Sequence, residues 1–284
     1  MRSALNTFVQ AASTFDPSDS LLPLTADGVL AGWMKKSFAE RLNEWPEYFV
    51  IRPRGVGMIG DFASAEHRSV AVGEVIESLA MQDVVRGWRG ELVTVAESFY
   101  APPVFHIERA AASYFGVTVY ASHLNGLTAR NGQPYMWLAQ RAESKYVDPG
   151  KLDNIVAGRI ARGYSPMQTL AKESLEEAGI AAALAGTSRA SGAVRCKRIT
   201  EEGFHKEIIF VHDLILPDTF EPQNQNGEVT TFTCVPIADL LTLLENPSQF
   251  TAEAALVIVD CLLRRGYLHS DRPDYLDLIH AMRP

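Results

Sequence analysis

The chain has 284 residues, 47% of them hydrophobic and 21% charged, and a formal net charge of −8. That is enough apolar material for one large or two modest domains, with no global positive field to draw in nucleic acid or an anionic membrane. Cys196, Cys234 and Cys261 show neither zinc-ligand spacing nor a disulfide framework, no apolar run reaches the about 18 residues of a membrane span, and the first residues lack a signal-peptide pattern, so the expectation is a cytoplasmic protein with buried free thiols.

In chain order, Trp33, Phe38 and Leu42 recur near helical spacing and predict a helix over 31–42. Residues 47–52 alternate and stop at Pro53, which predicts a strand. Val72, Val75, Ile76 and Leu79 share one face of a helix over 71–81, and the polar turn at 88–91 leads into another short strand. Residues 105–115 read as a helix with Ile107, Ala111, Tyr114 and Phe115 inward, joining a first unit to a second. Trp33, Trp45 and Trp88 are expected in the first core. From Val117 the pattern alternates as a strand, Asn131-Gly132 marks a turn, and residues 135–139 form the return strand of a hairpin. Strands are predicted at 192–199, 207–215 and 229–235, with loop at 213–220 and 223–227, and helices at 237–244 and 252–265. The order predicts an α/β (α+β) protein. Residues 1–112 form a smaller accessory α/β domain, and residues 113–284 form a mixed sheet packed between helices.

The chemistry sits in residues 158–180. Ser165 is a good helix N-cap, Pro166 suits the first helical position, Gln168 completes a capping box, and Gly179 suits a left-handed stop. These signals predict a helix over 166–178. At about 100° per residue, Met167, Ala171, Ser174, Leu175 and Ala178 share an apolar stripe. Glu173, Glu176 and Glu177 fall together on a different face. Three neighbouring carboxylates repel one another by a few tenths of about 1 kcal/mol per pair, and Lys172 offsets only part of this. A divalent cation bound by oxygen ligands, Mg²⁺ or Mn²⁺, would supply the missing charge.

With its glycine-led approach, this segment resembles the box of the Nudix hydrolases, Gly-x5-Glu-x7-Arg-Glu-U-x-Glu-Glu-x-Gly-U, where U is bulky and aliphatic. Gly158, Glu173, Glu176, Glu177, Gly179 and Ile180 match in register, whereas Tyr164, Lys172 and Ser174 replace a Glu, the Arg and an aliphatic residue. The resemblance implies an α/β/α sandwich and a metal-dependent enzyme that attacks phosphoric anhydride bonds with water. It makes Glu173, Glu176, Glu177 and the Gly158 carbonyl the metal ligands. Glu228, after Asn226-Gly227, becomes a further ligand or general base, and Arg141 and Lys145 become candidates for phosphate contacts.

The stretches at 105–112, 152–158, 213–217, 227–229 and 273–276 resemble a subgroup related to the Nudix part of thiamine pyrophosphokinase-like proteins. That likeness implies a small-molecule diphosphate as substrate. Thiamine diphosphate or its oxidised forms, cut to the monophosphate and phosphate, lead the expectation. An oxidised nucleoside diphosphate such as 8-oxo-dGDP and a catalytically silent binding module are the alternatives, and a homodimer is compatible with the family.

Overall fold

The computed structural model describes residues 3–283. Helix α1 (Ala4–Ser13) starts where the Ser3 side chain accepts a hydrogen bond from Asn6 N–H. Strands β1 (Leu22–Ala26) and β2 (Val29–Met34) follow, then the short helix α2 (Lys36–Ala39) and strands β3 (Phe49–Arg52) and β4 (Gly55–Met58). The four strands form one sheet in the order β2-β1-β4-β3. Helix α3 (Ala65–Met81), the antiparallel pair β5 (Leu92–Val95) and β6 (Phe105–Glu108), and helix α4 (Ala112–Phe115) complete this part.

Two helices expected here begin as strand. Residues 29–34 are β2 because Asp27 and Gly28 both adopt positive φ, at 52° and 76°, and close a tight hairpin with β1. Helical backbone resumes only in α2 and a 3₁₀ turn at Glu40–Glu44. Similarly, residues 105–108 pair with β5, and all four are buried. The Glu108 carboxylate there accepts the backbone N–H groups of Arg89, Glu91 and Ala110, which holds the bend into α4. Short apolar runs of this kind carry no period that separates helix from strand. Trp33 and Trp45 are half-buried, whereas Trp88 is exposed and lies outside the core.

The larger sheet is built from β7 (Thr118–Arg130), β8 (Gln133–Arg141), β9 (Leu152–Asn154), β10 (Val156–Arg159), β11 (Arg189–Ile199), β12 (Phe204–Ile215) and β13 (Val229–Pro236). Its order is β11-β12-β7-β8-β13, with β10 on β7 and β9 on β8. The β7–β12 pair is parallel and the others are antiparallel, so the sheet is mixed. Helices α5 (Pro166–Ala178) and α6 (Ala182–Ala185) cover one face, where Leu170, Ala178, Ile180 and Ala185 meet Leu124, Val156 and Leu214. Helices α7 (Ile237–Leu243), α8 (Ala252–Arg264) and α9 (Tyr275–Met282) cover the other, against Ala121, Val194, Ile209 and Val211. This is the expected α/β/α sandwich. Helix α1 joins the second core through Leu5, Val9 and Ala12, although it stands first in the sequence. Among the described residues no helix is long and apolar enough to cross a membrane.

The core around Leu24, Met34, Phe49, Ile76, Phe105 and Phe115 continues into Val117 and Val119 at the start of β7, so the smaller sheet is packed onto the larger one. Gly116 makes that docking possible. It caps α4 at φ 59°, and a Cβ there would lie 1.9 Å from the Trp33 carbonyl oxygen. Gly116→Ala is therefore expected to cost about 1–3 kcal/mol, read as a lower midpoint in chemical denaturation.

Candidate active site

Helix α5 begins and ends as its sequence dictates. Ser165 Oγ accepts from Gln168 N–H at 3.2 Å, Gln168 Oε1 accepts from Ser165 N–H at 2.9 Å, and Gly179 closes the helix at φ 66°. Its rotation differs from the expected stripe. Thr169, Leu170, Ser174, Glu177 and Ala178 are buried, while Met167 and Leu175 are exposed. Packing Leu170, Ser174 and Ala178, spaced four apart, against the sheet turns Glu173 and Glu177 toward β10 rather than toward water.

The sheet edge is shaped to receive them. Gly158 lies in β10 opposite Ser122 of β7, and a Cβ on it would fall 2.2 Å from Glu173 Cγ. One residue earlier, Ala157 N–H donates to Glu177 Oε2 at 2.9 Å. Glu176 stays largely open, its side chain 41% exposed, and Lys172 Nζ bridges Glu176 and Glu173 at 2.9 and 3.0 Å. Lys172 thus holds the charge of the missing box Arg, and these two hydrogen bonds raise its pKa despite the opposing effect of burial.

Burial pushes the Glu177 carboxyl well above the usual carboxylate range; the Ala157 hydrogen bond opposes this, and the charges of Glu173, Asp153 and Glu228 add to it. Burial also raises Glu173, against the pull of Lys172. Two carboxyls held up in this way, side by side over a glycine that leaves them room, form a site short of positive charge. A hard divalent cation fits that donor set.

Around them lies a cleft of about 420 Å³. Glu228 is in it, half-exposed and paired with Lys145 at 2.6 Å; burial alone would raise its carboxyl, but Lys145 brings it below the ordinary value. Arg141 also lines the cleft, with Nη1 3.0 Å from Asp153 and further bonds to the Val147 and Asp148 carbonyls. All the expected site residues therefore border one cavity, although Arg141 and Lys145 already hold protein partners.

Residues not singled out in the sequence join them. Asp153, 5% exposed, has a pKa raised by burial against the nearby His123 and Arg141. His123 Nδ1 bonds Asn154 Oδ1 at 2.9 Å, and Asn154 leads through Asn125 to Asp213. Nothing in the spacing of β7 marks His123, because its partner Asn154 comes from β9. The accessory part supplies a wall through Arg86, Arg89, Glu91 and Arg109, with Arg109 and Glu91 in an ion pair.

The NUDIX domain matches residues 121–255, and a domain of unknown function, DUF4743, matches residues 4–119. Nudix hydrolase 24, chloroplastic, of Arabidopsis thaliana is 38% identical over 266 residues, covering 92% of this chain and 72% of the relative. The chain belongs to the Nudix hydrolase family. Nudix hydrolase 20, chloroplastic, of the same plant is 37% identical over 271 residues, with 92% and 72% coverage. Among solved structures, the Nudix domain of Shewanella oneidensis NrtR, complexed with ADP ribose, has a TM-score of 0.43 at 16% identity, covering 53% of this chain and 90% of that one. This Nudix protein is a hydrolase of phosphoric anhydride bonds that works with a divalent metal.

Proposed function

We propose that this Nudix hydrolase cleaves the diphosphate of a compact organic molecule of the thiamine diphosphate type, including oxidised forms, to the monophosphate and phosphate. Glu173, Glu176, Glu177 and the Gly158 carbonyl are the groups that would hold Mg²⁺ or Mn²⁺. When bound, such an ion polarises phosphoryl oxygens and lowers the pKa of water. The thiamine-type end of the substrate follows from the subgroup resemblance, and the observation behind the diphosphate is the shared cleft: Arg86, Arg89 and Arg109 of the accessory part line the same cavity as the glutamates. A substrate anchored at its diphosphate would present its organic end to that wall.

The other side chains have separable tasks. Ala157 fixes Glu177, and Lys172 keeps Glu173 and Glu176 oriented. Glu228, held below the usual range by Lys145, stays ionised and suits a ligand role better than proton transfer, which favours a pKa near the working pH. Lys145 and Arg141 stand where phosphate oxygens would be met, and each leaves its carboxylate only if a substrate anion competes for it.

The test is release of phosphate or monophosphate with Mg²⁺ or Mn²⁺ from oxidised thiamine diphosphates, thiamine diphosphate, 8-oxo-dGDP, ADP-ribose and dinucleotides. The expected result is the highest kcat/KM on the thiamine diphosphate group, by about tenfold or more, equivalent to 1.4 kcal/mol of differential transition-state binding. A preference for 8-oxo-dGDP would move the substrate to oxidised nucleotides. Among the described residues Tyr146 is the one Phe, Tyr or Trp ring lining the cleft, so stacking favours neither the thiamine rings nor a purine, and the rates decide between them.

A further inference from the structure

A second group of metal-ligand side chains lies at the edge of the same cleft, away from α5, and its chemistry differs from that of the glutamates. The antiparallel register of β11 and β12 sets Cys196 opposite Glu207 and Arg198 opposite His205. Alternation along each strand then puts these four side chains on one face of the hairpin. Helix α8, capped by Thr251, carries Glu253 in its first turn onto that face. One donor atom each of Cys196, His205 and Glu253 lies within 4.8 Å of the others. His205 Nε2 is 3.0 Å from Glu253 Oε1 and 2.9 Å from Glu207 Oε2, and Cys196 Sγ is 3.5 Å from Glu253 Oε1.

We propose that Cys196, His205 and Glu253 form a structural site for a zinc-class divalent ion that clips α8 to the β11–β12 hairpin, with the fourth position left to Glu207, which here contacts His205 Nε2, or to water. Tetrahedral zinc with bonds of about 2.0–2.3 Å spaces its donor atoms about 3.3–3.7 Å apart, so the His205–Glu253 and Cys196–Glu253 separations of 3.0 and 3.5 Å need change by only a few tenths of an ångström. The mixed thiolate, imidazole and carboxylate set suits Zn²⁺ and discriminates against Mg²⁺, which takes oxygen ligands. Cys196 and His205 are each no more than 4% exposed and the Glu253 side chain is 14% exposed, so the set is largely shielded from water, as a structural site requires. The carboxylates are also oriented from outside, by Arg198 on Glu253 at 3.2 Å and Arg159 beside Glu207 at 3.6 Å. No local sequence spacing shows the set, because its members come from two strands and a distant helix.

The test uses the full chain, stripped with chelator and titrated with Co²⁺ in excess Mg²⁺, which occupies the all-oxygen site. The expected result is one Co²⁺ per chain with a near-ultraviolet thiolate-to-cobalt band, displaced by Zn²⁺. Cys196→Ser is expected to lose the band and Glu253→Gln to weaken Zn²⁺ binding at least about 100-fold, while Glu176→Gln and Cys261→Ser keep the band. If Cys196→Ser fails to fold, the wild-type band and the Glu253→Gln affinity decide. No thiolate band in the wild type, or a band that survives Cys196→Ser or disappears in Cys261→Ser, would overturn the proposal. In that case the cluster is a metal-free ion pair, with His205 shared between two carboxylates.

Discussion

Replacing Glu177 by glutamine is expected to lower turnover by about 10²–10³-fold, the scale of losing one pre-placed group that stabilises transition-state charge, and yet to stabilise the metal-free protein. Glu177 is the most deeply buried of the three helix carboxylates, at 8% exposure, and that burial holds its carboxyl well above the usual carboxylate range. A carboxyl raised in the folded state binds its proton more tightly there than in the unfolded chain. Its contribution to stability is complete below the unfolded value and is lost as pH rises through the folded one. Metal-free wild type is therefore expected to melt lower as pH rises above about 4.5, whereas Glu177→Gln lacks this part of the slope. Near neutral pH the variant is expected to melt higher, and each 1 kcal/mol gained reads as roughly 2–4 °C. Saturating Mg²⁺ or Mn²⁺ is expected to shrink the difference, because the ion stabilises the ionised wild-type carboxylate. Thermal melts at several pH values with and without metal, beside initial rates, check both signs. Undiminished turnover would remove Glu177 from the site.

Gly158→Ala tests the same site from the strand side. The added methyl would lie 2.2 Å from Glu173 Cγ and 2.9 Å from Cδ, closer than any real contact allows. Strand β10 is held to β7 along residues 156–159, so the side chain of Glu173 has to move rather than the backbone. A carboxylate displaced by about an ångström is expected to cost about 10²-fold in kcat. The stability cost should remain about 1–3 kcal/mol, because Glu173 is partly exposed and can swing outward. The accompanying measurement is the metal concentration for half-maximal rate, which is expected to rise. A variant with wild-type kcat and metal demand would show that the close packing of Gly158 on Glu173 has no part in catalysis.

How much of this was readable in the chain follows from the range of the interactions. Helix α5 was legible to the residue at both ends, since Ser165, Pro166, Gln168 and Gly179 act on backbone groups within four positions. The β7–β8 hairpin was equally local, set by Asn131-Gly132. The sequence by itself also brought Glu173, Glu176 and Glu177 together, because helical geometry alone fixes spacings of three and four. It did not fix which way that cluster turns. The choice between a solvated acidic face and a buried one was made by the sheet edge, which takes up Leu170, Ser174 and Ala178 and leaves Met167 and Leu175 outside.

Longer-range pairing decided the rest. Residues 105–108 became a strand because β5 offered a ladder to them, and no periodicity within four residues could announce that. His123, Asp153 and the Cys196–His205–Glu253 group were invisible as sets, since each is assembled from separate strands or from a strand and a helix. The accessory part gave no sequence sign of function, and only its docking through Gly116 puts Arg86, Arg89 and Arg109 on the wall of the cleft. The carboxylate triad was thus determined by the sequence, through hydrogen bonds and spacings inside one helix. Its burial, its charge deficit and the cavity around it were decided by tertiary structure, through contacts between elements that the chain separates by tens of residues.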